Sequence, residues 1–310
     1  MSRRSDKDQI LEIFQSLDFE HIDKHPNILI AAAFWEPERY RAACTAYCFL
    51  RSADDLVDNY KSEHPVIGEQ EQAALRNNLD RLTGLLMNNS NMAADSELTA
   101  TWEKFLIPLW PVEAFTRSMI YDIHHQGFPT FSSFLEYAEG ASVAPAGIFV
   151  HLCGLRKQND HYLPPVFDAR ETARPCAIFS YLVHIIRDFQ QDRLDNLNYF
   201  PSDLLLQYGL SQEQLDTMAR GGTVLPSFRL LVRHYMDVAD AYRRETLNMI
   251  RKVSPVLDTR YRLSLQIIFD LYLMVFQRID PENGQFTREE LNPRPDEVKS
   301  RVFNTLMKFL

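Results

Sequence analysis

Two stretches of this 310-residue chain set acidic side chains at helical spacing among apolar neighbours. The first is Tyr47-Cys-Phe-Leu-Arg51-Ser-Ala-Asp54-Asp55-Leu-Val-Asp58. Counting about 100° per residue from Tyr47, Arg51 lies at about 40°, Asp54 at about −20°, Asp55 at about 80° and Asp58 at about 20°. Asp54 and Asp58 therefore share one stripe, with Arg51 a turn earlier and Asp55 at the edge. Ala42, Ala43, Cys44, Ala46, Cys48, Phe49 and Leu50 make the same helix apolar nearly all round, the mark of a buried helix. Neighbouring carboxylates repel, and a buried acidic cluster must be paired, protonated or bound to a metal. Arg51 alone cannot neutralise three carboxylates. One such motif by itself fits a solvated helix end equally well, because short patterns recur by chance.

The second stretch is Tyr181-Leu-Val-His184-Ile-Ile-Arg187-Asp188-Phe-Gln-Gln191-Asp192-Arg-Leu-Asp195. From His184, Asp188 lies at about 40°, Asp192 at about 80° and Asp195 back at about 20°. Ala177, Ile178, Phe179, Leu182, Val183, Ile185 and Ile186 again make its surroundings apolar. Two buried helices with matching acidic stripes, 130 residues apart from Asp58 to Asp188, predict one cavity with carboxylates on facing walls. That donor set suits Mg²⁺, which takes oxygen ligands and is usually held by one or two carboxylates plus substrate phosphates. The expected substrate is a phosphorylated anion bridged to the protein by metal. A di-iron bundle would need Glu-x-x-His pairs, and the chain has none.

The remaining sequence must supply the scaffold for these stripes. Apolar residues at i, i+3, i+4, i+7 recur almost everywhere and alternating runs are scarce. The spacing predicts helices near 6–18, 37–60, 70–88, 96–108, 112–125, 131–138, 143–155, 170–194, 212–219, 226–252, 257–279 and 295–309. Gly140, Gly221–Gly222 and Asn283–Gly284 read as breaks. With only 10 glycines, no repeat and no dividing linker, residues 1–310 read as one large all-α domain. A net charge of −9 argues against nucleic-acid binding. The four cysteines form no CxxC pair and fit a reducing cytoplasm. The charged N-terminus leads into no long apolar stretch, so no signal peptide is expected. The longest apolar runs, 28–35 and 42–50, are too short to span a bilayer, so membrane contact would be peripheral.

The two stretches together resemble the squalene/phytoene synthase family of head-to-head isoprenoid synthases. That family carries Y-x-x-x-R-x-x-D-D-x-x-D on one helix and N-x-x-R-D-x-x-x-D on another. Here the positions read Tyr47, Arg51, Asp54, Asp55, Asp58 and His184, Arg187, Asp188, Asp192, followed by Tyr199-Phe200-Pro201 where the family often has Tyr-Leu-Pro. The resemblance implies an all-α isoprenoid-synthase fold with a central cavity, Mg²⁺ on both acidic helices, and two prenyl diphosphates as substrates. It implies that Asp54, Asp58, Asp188 and Asp192 hold the metal. Tyr47 and Arg51 would contact diphosphate or hold the acids in place. Arg187, His184, Tyr181 and Tyr272 would join the substrate site. The metal would neutralise the departing pyrophosphate so that the allylic C–O bond ionises. The second chain's double bond would then attack the cation, giving a cyclopropylcarbinyl diphosphate. Aromatic faces stabilise cations by roughly 0.5–2 kcal/mol; Phe34, Trp35, Phe134, Tyr137 and Phe179 are candidates, and each also reads as an ordinary core aromatic.

Several positions depart from the family pattern. His184 replaces an Asn, Tyr181 a Gln, Leu197 an Arg, and Asn27-Ile28 a Ser-Phe pair. Imidazole is a poorer Mg²⁺ ligand than an amide oxygen. His124-His125 cannot chelate jointly as a helical i, i+4 pair would and read as surface or cavity-edge residues. Glu139–Ala146 is rich in small residues and reads as a cavity wall or a close helix contact. The first functional expectation is conversion of farnesyl diphosphate to presqualene diphosphate or squalene. The alternatives are geranylgeranyl diphosphate to phytoene, and a non-catalytic homologue serving as a binding or assembly factor. Squalene would require NADPH, for which the chain has no dinucleotide fingerprint.

Overall fold

The computed structural model describes residues 6–20, 27–64, 66–87 and 97–310. Its helices are α1 (Asp6–Ser16), α2 (Asn27–Ala32), α3 (Pro37–Glu63), α4 (Glu69–Met87), α5 (Glu97–Lys104), α6 (Trp110–His124), α7 (Phe131–Ala138) and α8 (Ala144–Gly154). A short hairpin follows, β1 (Arg156–Gln158) antiparallel to β2 (His161–Leu163). Then come α9 (Ala169–Leu194), α10 (Ser202–Gln207), α11 (Gln212–Ala219), α12 (Pro226–Val253), α13 (Thr259–Phe276), α14 (Arg288–Leu291) and α15 (Pro295–Phe309). The all-α expectation holds, and the long helices fall within a few residues of their expected limits.

The two acidic stretches sit on the helices best fitted to hold them. α3 starts with Pro37 in its first turn, where a missing N–H costs nothing. Its Ala42, Ala43, Ala46 and Ala53 are buried, so neighbouring helices approach closely. α9 is capped by Asp168, whose side chain accepts from the Glu171 N–H at 2.9 Å. α9 packs against α8, α11, α12 and α13, and α3 against α2, α6 and α8. The apolar core forms two clusters. One gathers α2, α3, α8 and α13, and the other gathers α7, α9 and α12; Trp110, Ala146 and Ile250 pack against both.

Gly140 is a correction to the sequence reading. It does not break the chain. Residues Glu139–Val143 form a π-helical turn that joins α7 to α8 without interruption. The reason for glycine is a close approach: a Cβ there would stand 2.1 Å from the Ala114 carbonyl oxygen and 2.2 Å from Ser118 Oγ, both on α6. The helix expected over 96–108 ends at Lys104, and Leu106 adopts a positive φ of 51°. The hairpin, α2, α10 and α14 do not register in the sequence pattern; the helices are six residues or fewer and each strand is three, too short for helical or strand periodicity. None of the described helices is long and apolar enough to cross a membrane.

Candidate active site

A cavity of about 480 Å³ opens between the two apolar clusters. Its walls come from α2, α3, α6, α7, the π-helical turn, α8, α9, α12 and α13. One region is apolar, lined by Leu29, Ala43, Phe115, Phe149, Leu152, Ala177, Ile250 and Leu265 among others. The other gathers Tyr47, Arg51, Asp54, Asp58, Tyr181, His184, Asp192, Tyr199 and Tyr272. The structure therefore brings eight of the expected site residues onto one surface. Asp188 and Arg187 stand beside it rather than on it.

The α3 wall carries more negative charge than its cations offset. Arg51 lies 3.5 Å from Asp54 but only 2.7 Å from Asp55, so its closer partner is the more exposed acid. Asp58 has no ion-pair partner within 4 Å among the described residues. Burial, only partly offset by Arg51 and reinforced by Asp122 and Asp55, pushes the Asp54 carboxyl up to about 6. Burial, Asp54 and Asp122 push Asp58 up to about 8.

Asp122 was not singled out by the sequence reading, and it is central to this wall. It is 6% exposed. Lys61 Nζ donates to its Oδ1 at 2.9 Å, and the Tyr137 hydroxyl donates to its Oδ2. Lys61 also reaches the His125 carbonyl at 3.4 Å. Burial and Asp122 hold the Tyr137 phenol well above its ordinary value. A signal existed in the sequence. Lys61 lies three residues beyond Asp58 on the same stripe of α3, and Asp122 follows the buried Ala114 and Ser118 at four-residue steps on α6.

The α9 wall is arranged differently. Arg187 grips Asp188 with two hydrogen bonds, Nε to Oδ1 at 2.8 Å and Nη2 to Oδ2 at 2.6 Å. His184 Nε2 lies 2.7 Å from the same Oδ2. Burial opposes ionisation of Asp188, yet His184 and Arg187 hold it well below the usual carboxylate range. Asp192, one turn on, has no ion-pair partner among the described residues. Burial, Asp188 and, across the cavity, Asp58 push it well above its ordinary value. Leu197, at the position where an Arg was expected, lines the cavity nearby and donates its backbone N–H to the Asp192 carbonyl at 2.7 Å.

The aromatic expectations divide. Tyr137 lines the cavity. Phe34, placed at the substrate site from the sequence, does not; it is fully buried in the core, as are Phe134 and Phe179. Trp35 is also core, donating Nε1–H to Ser264 Oγ at 2.8 Å and packing on Phe149 and Tyr261. The turn after α2 carries Phe34 and Trp35 into the core, a direction that residue type alone does not encode. Phe115 and Phe149 supply aromatic surface to the cavity instead. His124 and His125 are exposed, as expected.

Among the described residues, no three His, Cys, Asp or Glu side chains already converge on one point as a metal cage. The carboxylates nevertheless fit a divalent cation. Asp54, Asp58 and Asp192 are half-buried carboxyl groups that border one cavity, and Mg²⁺ ordinarily draws its remaining ligands from substrate and water.

A helical bundle enclosing an apolar cavity with acids at one end defines an isoprenoid-synthase-type fold. Residues 23–299 match the squalene/phytoene synthase family. The chain belongs to that family, whose members are prenyltransferases condensing prenyl diphosphates head to head. It is 31% identical to a phytoene synthase of Cereibacter sphaeroides over 59% of this chain and 50% of that one, so the match spans half that relative's length. It is 23% identical to a chloroplastic phytoene synthase 2 of Solanum lycopersicum over 84% of this chain and 80% of that one. In fold it is similar to the crystal structure of a dehydrosqualene synthase (TM-score 0.64, 16% identity, covering 98% of this chain and 100% of that one). It is also similar in fold to a squalene synthase from Alicyclobacillus acidocaldarius (TM-score 0.59, 14% identity, covering 85% of this chain and 89% of that one).

Proposed function

We propose that this chain condenses two prenyl diphosphates head to head, with farnesyl diphosphate as substrate and presqualene diphosphate or squalene as product. One observation carries the reading: Asp58 on α3 and Asp192 on α9, with no ion-pair partner among the described residues, lie at the acidic end of one apolar cavity. Asp54, Asp58 and Asp192 would hold Mg²⁺, with Asp188 joining them once released from Arg187. When bound, Mg²⁺ supplies the positive charge that stabilises the departing pyrophosphate. Arg51 and Arg187 bind diphosphate oxygens, for which a guanidinium is well shaped. Tyr47 and Tyr272 border the same end and orient it. The apolar walls take the prenyl chains and exclude water, which would otherwise quench a carbocation. Tyr137, Phe115 and Phe149 present aromatic surface to that cation.

A second reading, geranylgeranyl diphosphate to phytoene, is favoured by the phytoene synthases among the sequence relatives. Incubating purified protein with each diphosphate and Mg²⁺, with and without NADPH, and extracting the products separates the two. A thermal-shift titration accompanies it. A diphosphate site gains stability only when Mg²⁺ and a diphosphate analogue are both present. Absence of turnover with either substrate overturns the enzymatic reading; stabilisation without turnover would support a binding or assembly role instead.

A further inference from the structure

Of the four acids expected to meet Mg²⁺, Asp188 is the one whose oxygens are already engaged. Arg187 spans both of them at 2.8 and 2.6 Å, and His184 Nε2 lies 2.7 Å from Oδ2. Arg187 Nη2 also lies 3.1 Å from His184 Nδ1. A guanidinium only donates. Nδ1 must therefore accept, and the ring proton sits on Nε2, from which it is donated to Asp188. One imidazole thus ties the arginine and the carboxylate together. Consecutive residues of a helix do not face each other, so the ring one turn earlier is what steadies the Arg187–Asp188 pair. An asparagine at 184 would end one bond short of Nε2 and lose the contact with Asp188.

His184 lines the cavity, with its side chain 41% exposed, so an entering anion can reach it. Arg187 binds phosphate oxygens in the same forked geometry that it uses on a carboxylate. Resting on the diphosphate chemistry proposed above, we propose that His184 is a positioning residue that keeps Asp188 closed to Mg²⁺ until a diphosphate arrives. The anion draws Arg187 and His184 to itself, and the released carboxylate then meets the metal. Divalent-ion binding at the α9 wall follows substrate instead of preceding it, and by linkage the metal tightens diphosphate binding by the same factor.

Calorimetric titration of Mg²⁺ into the full chain, with and without inorganic pyrophosphate, tests this. The wild type is expected to bind Mg²⁺ about tenfold or more tightly with pyrophosphate present, the worth of one charge-assisted hydrogen bond. His184→Asn and His184→Ala are expected to bind Mg²⁺ about tenfold more tightly than wild type in its absence, and to lose most of the coupling. Adding Asp188→Asn to either variant should cancel the gain, which a general loosening of the site would not do. Identical isotherms for wild type and both single variants without pyrophosphate would overturn the proposal. If wild type and variants alike fail to bind Mg²⁺ even with pyrophosphate, the diphosphate reading fails and takes this inference with it.

Discussion

On α3, Asp58 stands in the cavity wall with no close cation among the described residues, and Arg51 divides itself between Asp54 and Asp55. On α9, Asp188 lies inside a two-pronged grip from Arg187 and a contact from His184. Both helices carry acids four residues apart amid apolar turns, yet proton affinity rises at Asp54 and Asp58 on α3 and at Asp192 on α9, and falls at Asp188 alone among the four. The difference lies in the cations rather than in the acids. Lys61 stands on the same stripe as Asp58 but is committed to Asp122, whereas Arg187 is adjacent to Asp188 and folds back on it. A motif's spacing thus places its carboxylates, and their neighbours decide which carry a counter-ion.

The largest effect expected from disturbing this contrast comes from Lys61→Met. It leaves Asp122 buried without its counter-ion, a change that typically costs about 3–5 kcal/mol. Urea or thermal denaturation measures it, and adding Asp122→Asn should recover much of the loss. A cost below about 1 kcal/mol would mean that water reaches the pair. Next comes Asp58→Asn, expected to lower turnover of the prenyl diphosphate substrate by about 10²–10³-fold, the scale of losing one transition-state electrostatic contact. Asp188→Asn should cost less, because that carboxylate begins committed to Arg187. Equal losses in steady-state assays at the two positions would erase the distinction between the walls.

The pH dependence of stability sharpens the contrast further. Asp54 and Asp58 titrate at about 6 and about 8 in the folded chain, against about 3.9 when unfolded. Between those limits the folded state holds more protons, so this contribution is full below about pH 3.9 and disappears as pH rises through the folded values. Asp188 has the reverse sign: its contribution is present above about pH 3.9 and is lost as acid titrates it below that. The Tm of metal-free protein should therefore decline between about pH 5 and 8.5, and Asp58→Asn should flatten the upper part of the decline. A Tm rising across this range would contradict the buried-acid account. The smallest effect is expected at Asp55, whose pair with Arg51 is solvent-accessible. Asp55→Asn should alter stability by no more than about 0.5 kcal/mol in the same denaturation experiment.

Much of this architecture is legible in the residues themselves. The stripes at Asp54–Asp58 and Asp188–Asp192 stand out because acids at helical spacing conflict with apolar surroundings, and such a conflict requires an explanation. Lys61 and Asp122 are harder to read. Each is a single charge in its own stretch, and their meeting depends on how α3 crosses α6. Phe34 illustrates a different limit. Its type suits a cation-facing wall as well as a core, and only the orientation of short α2 and the turn after it decides between them. The π-helical turn at Glu139–Val143 is equally hidden, because its extra residue is accommodated by contact with a helix some twenty residues earlier in the chain.

That turn gives the acidic end of the cavity an unexpected dependence. Ala114 and Ser118, which press on Gly140, belong to the same rod that bears Asp122 one turn further on. A single methyl group introduced at position 140 would lever this rod outward and draw Asp122 away from its lysine and tyrosine. An uncharged edit on a different helical segment from Asp58 would then retune how firmly that acid keeps its proton.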